Sequence, residues 1–184
     1  MNPTSSPTPV HGPDQPSDWV VRWSHLIVPQ GLVLDLACGG GRHTRYLAAR
    51  GLRVHALDRD APALAGLSAL AGVNVQQADL ENGPWPLGEM TFDAVVVTNY
   101  LHRPLFAHIL RALSPGGVLV YETFAAGNER HGKPSNPDFL LNPGELLDVA
   151  RGRLRVVAYE DIQVAAPRPA CIQRICATSL SHAV

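Results

Sequence analysis

The run Val33-Leu-Asp-Leu-Ala-Cys-Gly-Gly-Gly-Arg-His-Thr44 constrains the fold more than any other stretch of the chain. An apolar segment, broken only by Asp35, passes into three consecutive glycines and then into residues of helical character. A short apolar strand turning sharply into a helix is the opening unit of a parallel sheet, where crossover helices cover both faces. Glycine at such a turn lets the backbone reverse and lets a ligand approach its N–H groups closely.

The rest of the chain repeats the alternation. Strands are expected over 32–37, 53–57, 73–77, 92–98 and 118–124, with helices over 42–50, 61–71 and 104–113 between them. Asp60 is a suitable N-cap for the second of these helices, and Leu64, Leu67 and Leu70 share one face. Trp19, Val20, Trp23, Leu26 and Ile27 recur at helical spacing before Pro29 and Gly31 stop the segment. Asn142-Pro-Gly-Glu145 has the form of a capping box and opens a last helix. Two β-type runs, 154–164 and 171–178, flank Ala165-Ala-Pro-Arg-Pro169 and read as an antiparallel pair. The link between the third and fourth strands, Asn82-Gly-Pro-Trp-Pro-Leu-Gly88, leaves little room for a helix. The expected fold class is therefore α/β, a Rossmann-like doubly wound sheet of about seven strands.

At 184 residues and 46% apolar content the chain supports one domain with a real core. Residues 1–17 hold five prolines among polar residues and read as a disordered arm, leaving a single domain over 18–184. A net charge of −1 argues against a protein that holds a phosphate backbone by bulk electrostatics, so nucleic acid is not the expected partner. No apolar run approaches the ~18–20 residues of a membrane span. The N-terminal residues lack a secretory pattern, and the three cysteines Cys38, Cys171 and Cys176 form no CxxC, so a cytoplasmic location is expected. The eight histidines lack ligand spacing, and no metal is expected.

Ligands of such sheets bind beyond the carboxyl ends of the strands, and the unusual residues stand there. Asp35 can order the glycine loop and lie near a cationic ligand group. Asp58 ends the second strand nineteen residues after Gly39, where a carboxylate can accept from both hydroxyls of a ribose. Asp79, after the third strand, can accept from an exocyclic adenine amine. Thr98-Asn-Tyr-Leu-His-Arg103 follows the fourth strand and brings polar and aromatic groups to the cleft mouth. A dinucleotide fingerprint would require glycine at position 44, where Thr44 stands.

Together these pieces resemble the class I S-adenosylmethionine-dependent methyltransferases. The carrying motifs are LDLACGGGRHT (34–44), LDRD (57–60), ADLE (78–81), FDAVVVTNYLH (92–102) and LSPGGVLVYETF (113–124). Among subgroups the chain looks most like the small tellurite-resistance-like and ubiquinone-biosynthesis-like members. The resemblance implies the sheet order 3-2-1-4-5-7-6, with an antiparallel C-terminal strand. It implies S-adenosyl-L-methionine as cofactor and S-adenosyl-L-homocysteine as product. Gly39, Gly40 and Gly41 would line the methionine part, and Asp35 with the Ala37 carbonyl would face the ammonium group. Asp58 and its neighbour Arg59 would sit at the ribose, Asp79 and Leu80 at the adenine. Asn99, Tyr100 and His102 would lie nearest the transferable methyl. His102 is then the candidate base and Tyr100 a second catalytic candidate or a pocket wall. The acceptor expected is a small molecule, bound by the N-terminal helix, the fourth-strand loop or the loop over 125–141, where Glu129, Arg130, His131 and Lys133 could form a lid. A non-catalytic donor-binding module and a nicotinamide-dependent oxidoreductase are the alternative readings.

Overall fold

The central strands are apolar on both faces, so the chain must cover its sheet twice. A computed structural model describes residues 14–180. Strands β1 (Leu32–Leu36), β2 (Arg53–Asp58), β3 (Val73–Gln77), β4 (Phe92–Thr98), β5 (Leu113–Phe124), β6 (Leu154–Val164) and β7 (Ala170–Ser179) form one sheet in the order β3-β2-β1-β4-β5-β7-β6. Pairing is parallel from β3 through β5, and β7 runs antiparallel between β5 and β6. This is the expected order and class.

Side chains alternate across the pleat, which sorts the core into two layers. On one face Val33, Val54, Val96 and Val120 meet Trp19 and Val20 of α1 (Asp18–Trp23) and Leu47 of α2 (Arg42–Ala49). On the other, Leu34, Val95, Leu119 and Tyr121 meet Ile109 of α4 (Phe106–Arg111) and Leu146 of α5 (Glu145–Ala150). No helix of the described residues joins β3 to β4; buried Leu80 and Leu87, with Trp85 packed beside them, close that part of the second face.

Three local expectations change. Helix α3 spans only Ala61–Ala65, not 61–71, because Gly66 caps its C-terminus. Glycine is a poor helix residue, and beyond it the chain continues in three-residue turns from Leu67 to Leu64 and from Leu70 to Leu67. The spacing that suggested a helix also suits those turns, and Leu67 stays fully buried. Strand β5 starts at Leu113, earlier than expected, since Leu113 pairs with Phe92 across an irregular register before Ala94. The capping box forms only in half. Asn142 N–H donates to the Glu145 carboxylate (2.8 Å), but the Asn142 amide donates to it too (3.1 Å), and left-handed Gly144 precedes α5. Arg103 grips the same carboxylate at 2.7 and 2.9 Å, which turns Glu145 toward the β4 loop.

The arm expected over 1–17 falls outside the described residues up to position 13. Ser17 at its end is built into the body. Its Oγ accepts from Trp19 N–H as the N-cap of α1 (3.1 Å) and donates to Glu122 of β5 (2.8 Å), and its own N–H donates to His43 (3.0 Å).

Trp19 is 1% exposed, lies edge-on to Trp23 and sits under the Arg174 guanidinium at 4.6 Å. Its Nε1 is buried without a partner. Trp19→Ala is expected to lower the unfolding free energy by about 3 kcal/mol, the low end for such truncations because an unpaired N–H leaves with the ring. Trp19→Phe should lose about a third of that, and urea denaturation measures both.

Candidate functional site

Two strand ends adopt backbone conformations that non-glycine residues seldom take. Ala37, just past β1, has φ +54°, and Asn99, just past β4, has φ +55°. Such outliers gather where surrounding structure holds the backbone for a purpose. After Ala37 the glycine loop divides its work. A Cβ on Gly41 would overlap the Leu67 side chain, so Gly41 lets the loop pack on the body. A Cβ on Gly39 or Gly40 would meet nothing within 4 Å, and both residues line a cavity of about 690 Å³.

The three carboxylates of interest behave differently. Asp35 lies inside β1, 1% exposed, and accepts from Thr44 Oγ1 in the first turn of α2 (2.6 Å). Burial pushes its carboxyl up to about 6 against the lowering effect of Thr44 and Arg42. Asp35 is not among the cavity walls, and Thr44 stands where a dinucleotide fold needs glycine because its hydroxyl holds Asp35. Asp58, at the end of β2, accepts from Gly39 N–H (2.7 Å) and Asp60 N–H (2.9 Å) and keeps further lone pairs toward the cleft. Asp79 is exposed and accepts from the N–H groups of Glu81 and Asn82 and from the Asn82 amide, bonds that hold its carboxyl below the usual range.

Asp58, Arg59, Asp79, Leu80 and Tyr100 line a narrow cavity of about 60 Å³ that shares Ala37 with the larger one. The Tyr100 hydroxyl is buried behind that wall, near the Glu81 carboxylate. Burial, then the charge of Glu81, raise its pKa, so it stays a donor. His102 sits among the walls of none of the cavities described, and no side-chain cap bond holds it. Asn99 reaches the cleft instead.

A third cavity, about 370 Å³, shares Arg42, Asn99 and Arg168 with the large one. Its polar wall includes Glu122, which accepts from Ser17 Oγ and from Arg174 (3.2 Å). Its other wall is the turn between β6 and β7. The loop over 125–141 contributes nothing to it. Glu129 and Arg130 bond back to Gly127, and Asn128 is buried with its amide on the Pro134 carbonyl. Sequence reasoning thus overlooked Arg168, whose only signal was a lone arginine between two prolines. His43 is 1% exposed; its Nε2 accepts from Ser17 N–H, so in the neutral ring Nδ1–H faces Thr98 Oγ1 at 3.3 Å.

Burial pushes Cys38, in the glycine loop, far above the range of a reactive thiol. Among the described residues no cluster of three His, Cys, Asp or Glu side chains is arranged for a metal, and no helix is long and apolar enough to cross a membrane.

Residues 33–117 match the family described as "Methyltransferase domain". An uncharacterized methyltransferase of Synechocystis sp. is 38% identical over an alignment covering 50% of this chain and 46% of that protein. Among solved structures, TehB from Haemophilus influenzae superposes with a TM-score of 0.71 at 19% identity, over 87% of this chain and 61% of that one. The 1,6-didemethyltoxoflavin-N1-methyltransferase of Burkholderia thailandensis, solved with 1,6-didemethyltoxoflavin and S-adenosylhomocysteine, superposes at 0.66 with 21% identity, over 89% and 76%. The latter two are likenesses of fold. The chain spans from about two fifths to two thirds of the length of the curated relatives it matches.

Burial and the Arg42 charge press the His43 pKa from 6.5 down to about 3. The unfolded chain therefore binds a proton that the folded chain refuses, and His43 withdraws stability as pH falls from 6.5 toward 3. Asp35, raised from 3.8 to about 6, acts oppositely between those values. Between pH 6 and 4 the two opposing slopes nearly cancel, so these groups leave the urea midpoint almost level there, and His43→Gln, which removes the destabilising one, should make it rise as the pH falls through that window.

Proposed function

We propose that this chain, which resembles the class I methyltransferases in its matched domain and its sheet order, binds S-adenosylmethionine in the glycine-lined cleft and passes the methyl group to a small-molecule acceptor. The observation that carries the reading is the pairing of an open Gly39–Gly40 backbone with Asp58 across one hydrogen bond, at the carboxyl ends of adjacent strands.

S-adenosylmethionine supplies a methyl group on a sulfonium sulfur, already activated for displacement by a nucleophile. The chain's task is to align and to exclude water. In this reading the free lone pairs of Asp58 accept from ribose hydroxyls. Asp79, Leu80 and Arg59 border the adenine, and Gly39 and Gly40 admit the methionine portion. The Ala37 carbonyl faces its ammonium group. Asp35 is a positioning residue that acts through Thr44 and α2. Asn99 stands where the donor cavity meets the next one. His43 has both ring nitrogens engaged and Tyr100 keeps its proton, so neither serves as base. The reading leaves His102 outside the cleft and assigns alignment to these residues. Three unpaired cysteines fit a reducing, cytoplasmic setting. The toxoflavin-precursor ligand of the Burkholderia enzyme is a precedent for a small-molecule acceptor on this fold.

Titration calorimetry with S-adenosylmethionine, S-adenosylhomocysteine and NADH tests the reading. The first two should bind and NADH should not, and Asp58→Asn should weaken both by about tenfold or more. Preferential NADH binding would replace the reading with the oxidoreductase one. Donor binding with no turnover over a broad acceptor panel would favour the non-catalytic module.

A further inference from the structure

We propose that the 370 Å³ cavity is the acceptor site and that it takes a small molecule with an apolar body and one anionic group, held by Arg168. This deepens the methyltransferase reading and rests on it. The cavity opens into the donor cavity through shared walls at Asn99, Arg42 and Arg168, so a molecule in it meets the donor side directly. Its volume suits a compact ligand. Phe124, Val164, Pro167 and Ile172 make its apolar wall.

Charge at the junction is unbalanced. Glu122 is matched by Arg174 and Ser17, and Asp18, the cavity's other carboxylate, also has a partner. Arg42 and Arg168 form no ion pair with any described residue. Arg42 opens α2 immediately after the glycine loop, lines both cavities as Arg168 does, and donates to the Gln15 carbonyl at 3.4 Å. Arg168 rides the exposed turn between β6 and β7. Its guanidinium lies over the Phe124 ring at 5.7 Å, and its recorded hydrogen bond is a long 3.4 Å contact to the Lys133 carbonyl. A guanidinium set on an aromatic face at a cavity rim, with its other N–H groups uncommitted, is arranged for a carboxylate or phosphate oxygen pair. The neighbouring apolar wall then takes the ligand's body.

Matched pairs of carboxylates and neutral amides test this on the full chain. With S-adenosylhomocysteine bound, 3-phenylpropanoate and indole-3-acetate should each bind at least about tenfold more tightly than 3-phenylpropanamide and indole-3-acetamide. Arg168→Gln should equalise each pair, read at saturating S-adenosylhomocysteine because Arg168 also lines the donor cavity, and Arg168→Lys should fall between. Asp58→Asn should do the reverse, weakening the nucleoside and sparing the carboxylate preference. Circular dichroism checks that the turn variants fold. Equal binding of acid and amide, no carboxylate binding to the loaded protein, or a preference that survives Arg168→Gln would each overturn the proposal. A carboxylate preference lost in Arg168→Gln, in a protein that binds no S-adenosylhomocysteine, would uphold the anion site and refute the donor reading.

Discussion

The cleft depends on the bond between the buried Asp35 carboxylate and the Thr44 hydroxyl. Asp35 is fixed in the middle of the sheet, paired with Ala56 on one side and Val96 on the other. Thr44 is fully buried in the first turn of α2. Their 2.6 Å contact sets where α2 begins relative to β1, and the glycine loop between them can only bridge that gap. Burying a carboxylate is unfavourable, and its raised pKa records the penalty. The loop would otherwise be a mobile connection. With both of its ends held, Gly39 keeps its N–H on Asp58 and an open face toward the cavity.

A second chain of polar contacts ties the far wall to the body. Ser17, Glu122, Arg174 and Glu160 follow one another from the start of α1 across β5 and β7 to β6. Its inner members are largely shielded, with Arg174 and Glu122 side chains 18% and 13% exposed, and Trp19 covers the guanidinium. The outer Arg22–Glu160 contact, at 3.8 Å with Arg22 61% exposed, contributes little. The inner part therefore carries the coupling between the N-terminal helix and the C-terminal hairpin. The same residues face the third cavity, so one network both braces the wall and lines it.

Strand existence was legible because parallel strands buried on both faces write themselves as apolar runs, whereas their order was implied by the family resemblance alone. The positions of Asp58 at the end of β2 and Asp79 just after β3 were legible because the strand pattern locates them, whereas Asp35 lies inside β1 and away from the cavity walls. What escaped depended on distant contacts. His43 looked like an ordinary first-turn residue, and only Ser17, twenty-six positions earlier, reveals why it is neutral and buried. Arg168 carries no local signature of ligand binding; the antiparallel hairpin brings it beside a loop more than a hundred residues away. The Glu145 capping box was read locally, whereas Arg103, forty-two residues earlier, decided its geometry. His102 was expected at the cleft because it follows β4, but the turn at Asn99 takes that place.

The cleft's two sides are built from different kinds of chain. The glycine-loop side is clamped between a buried carboxylate and a buried helix turn, and a Cβ on Gly41 would overlap Leu67 of the core. The opposite side ends in residues 165–169, an exposed turn at the tip of a hairpin whose outer strand is the sheet's edge. In the proposed reading, a substitution among those exposed residues would retune one wall of the acceptor cavity while meeting solvent more than core, and the glycine loop would stay fixed by its two buried ends.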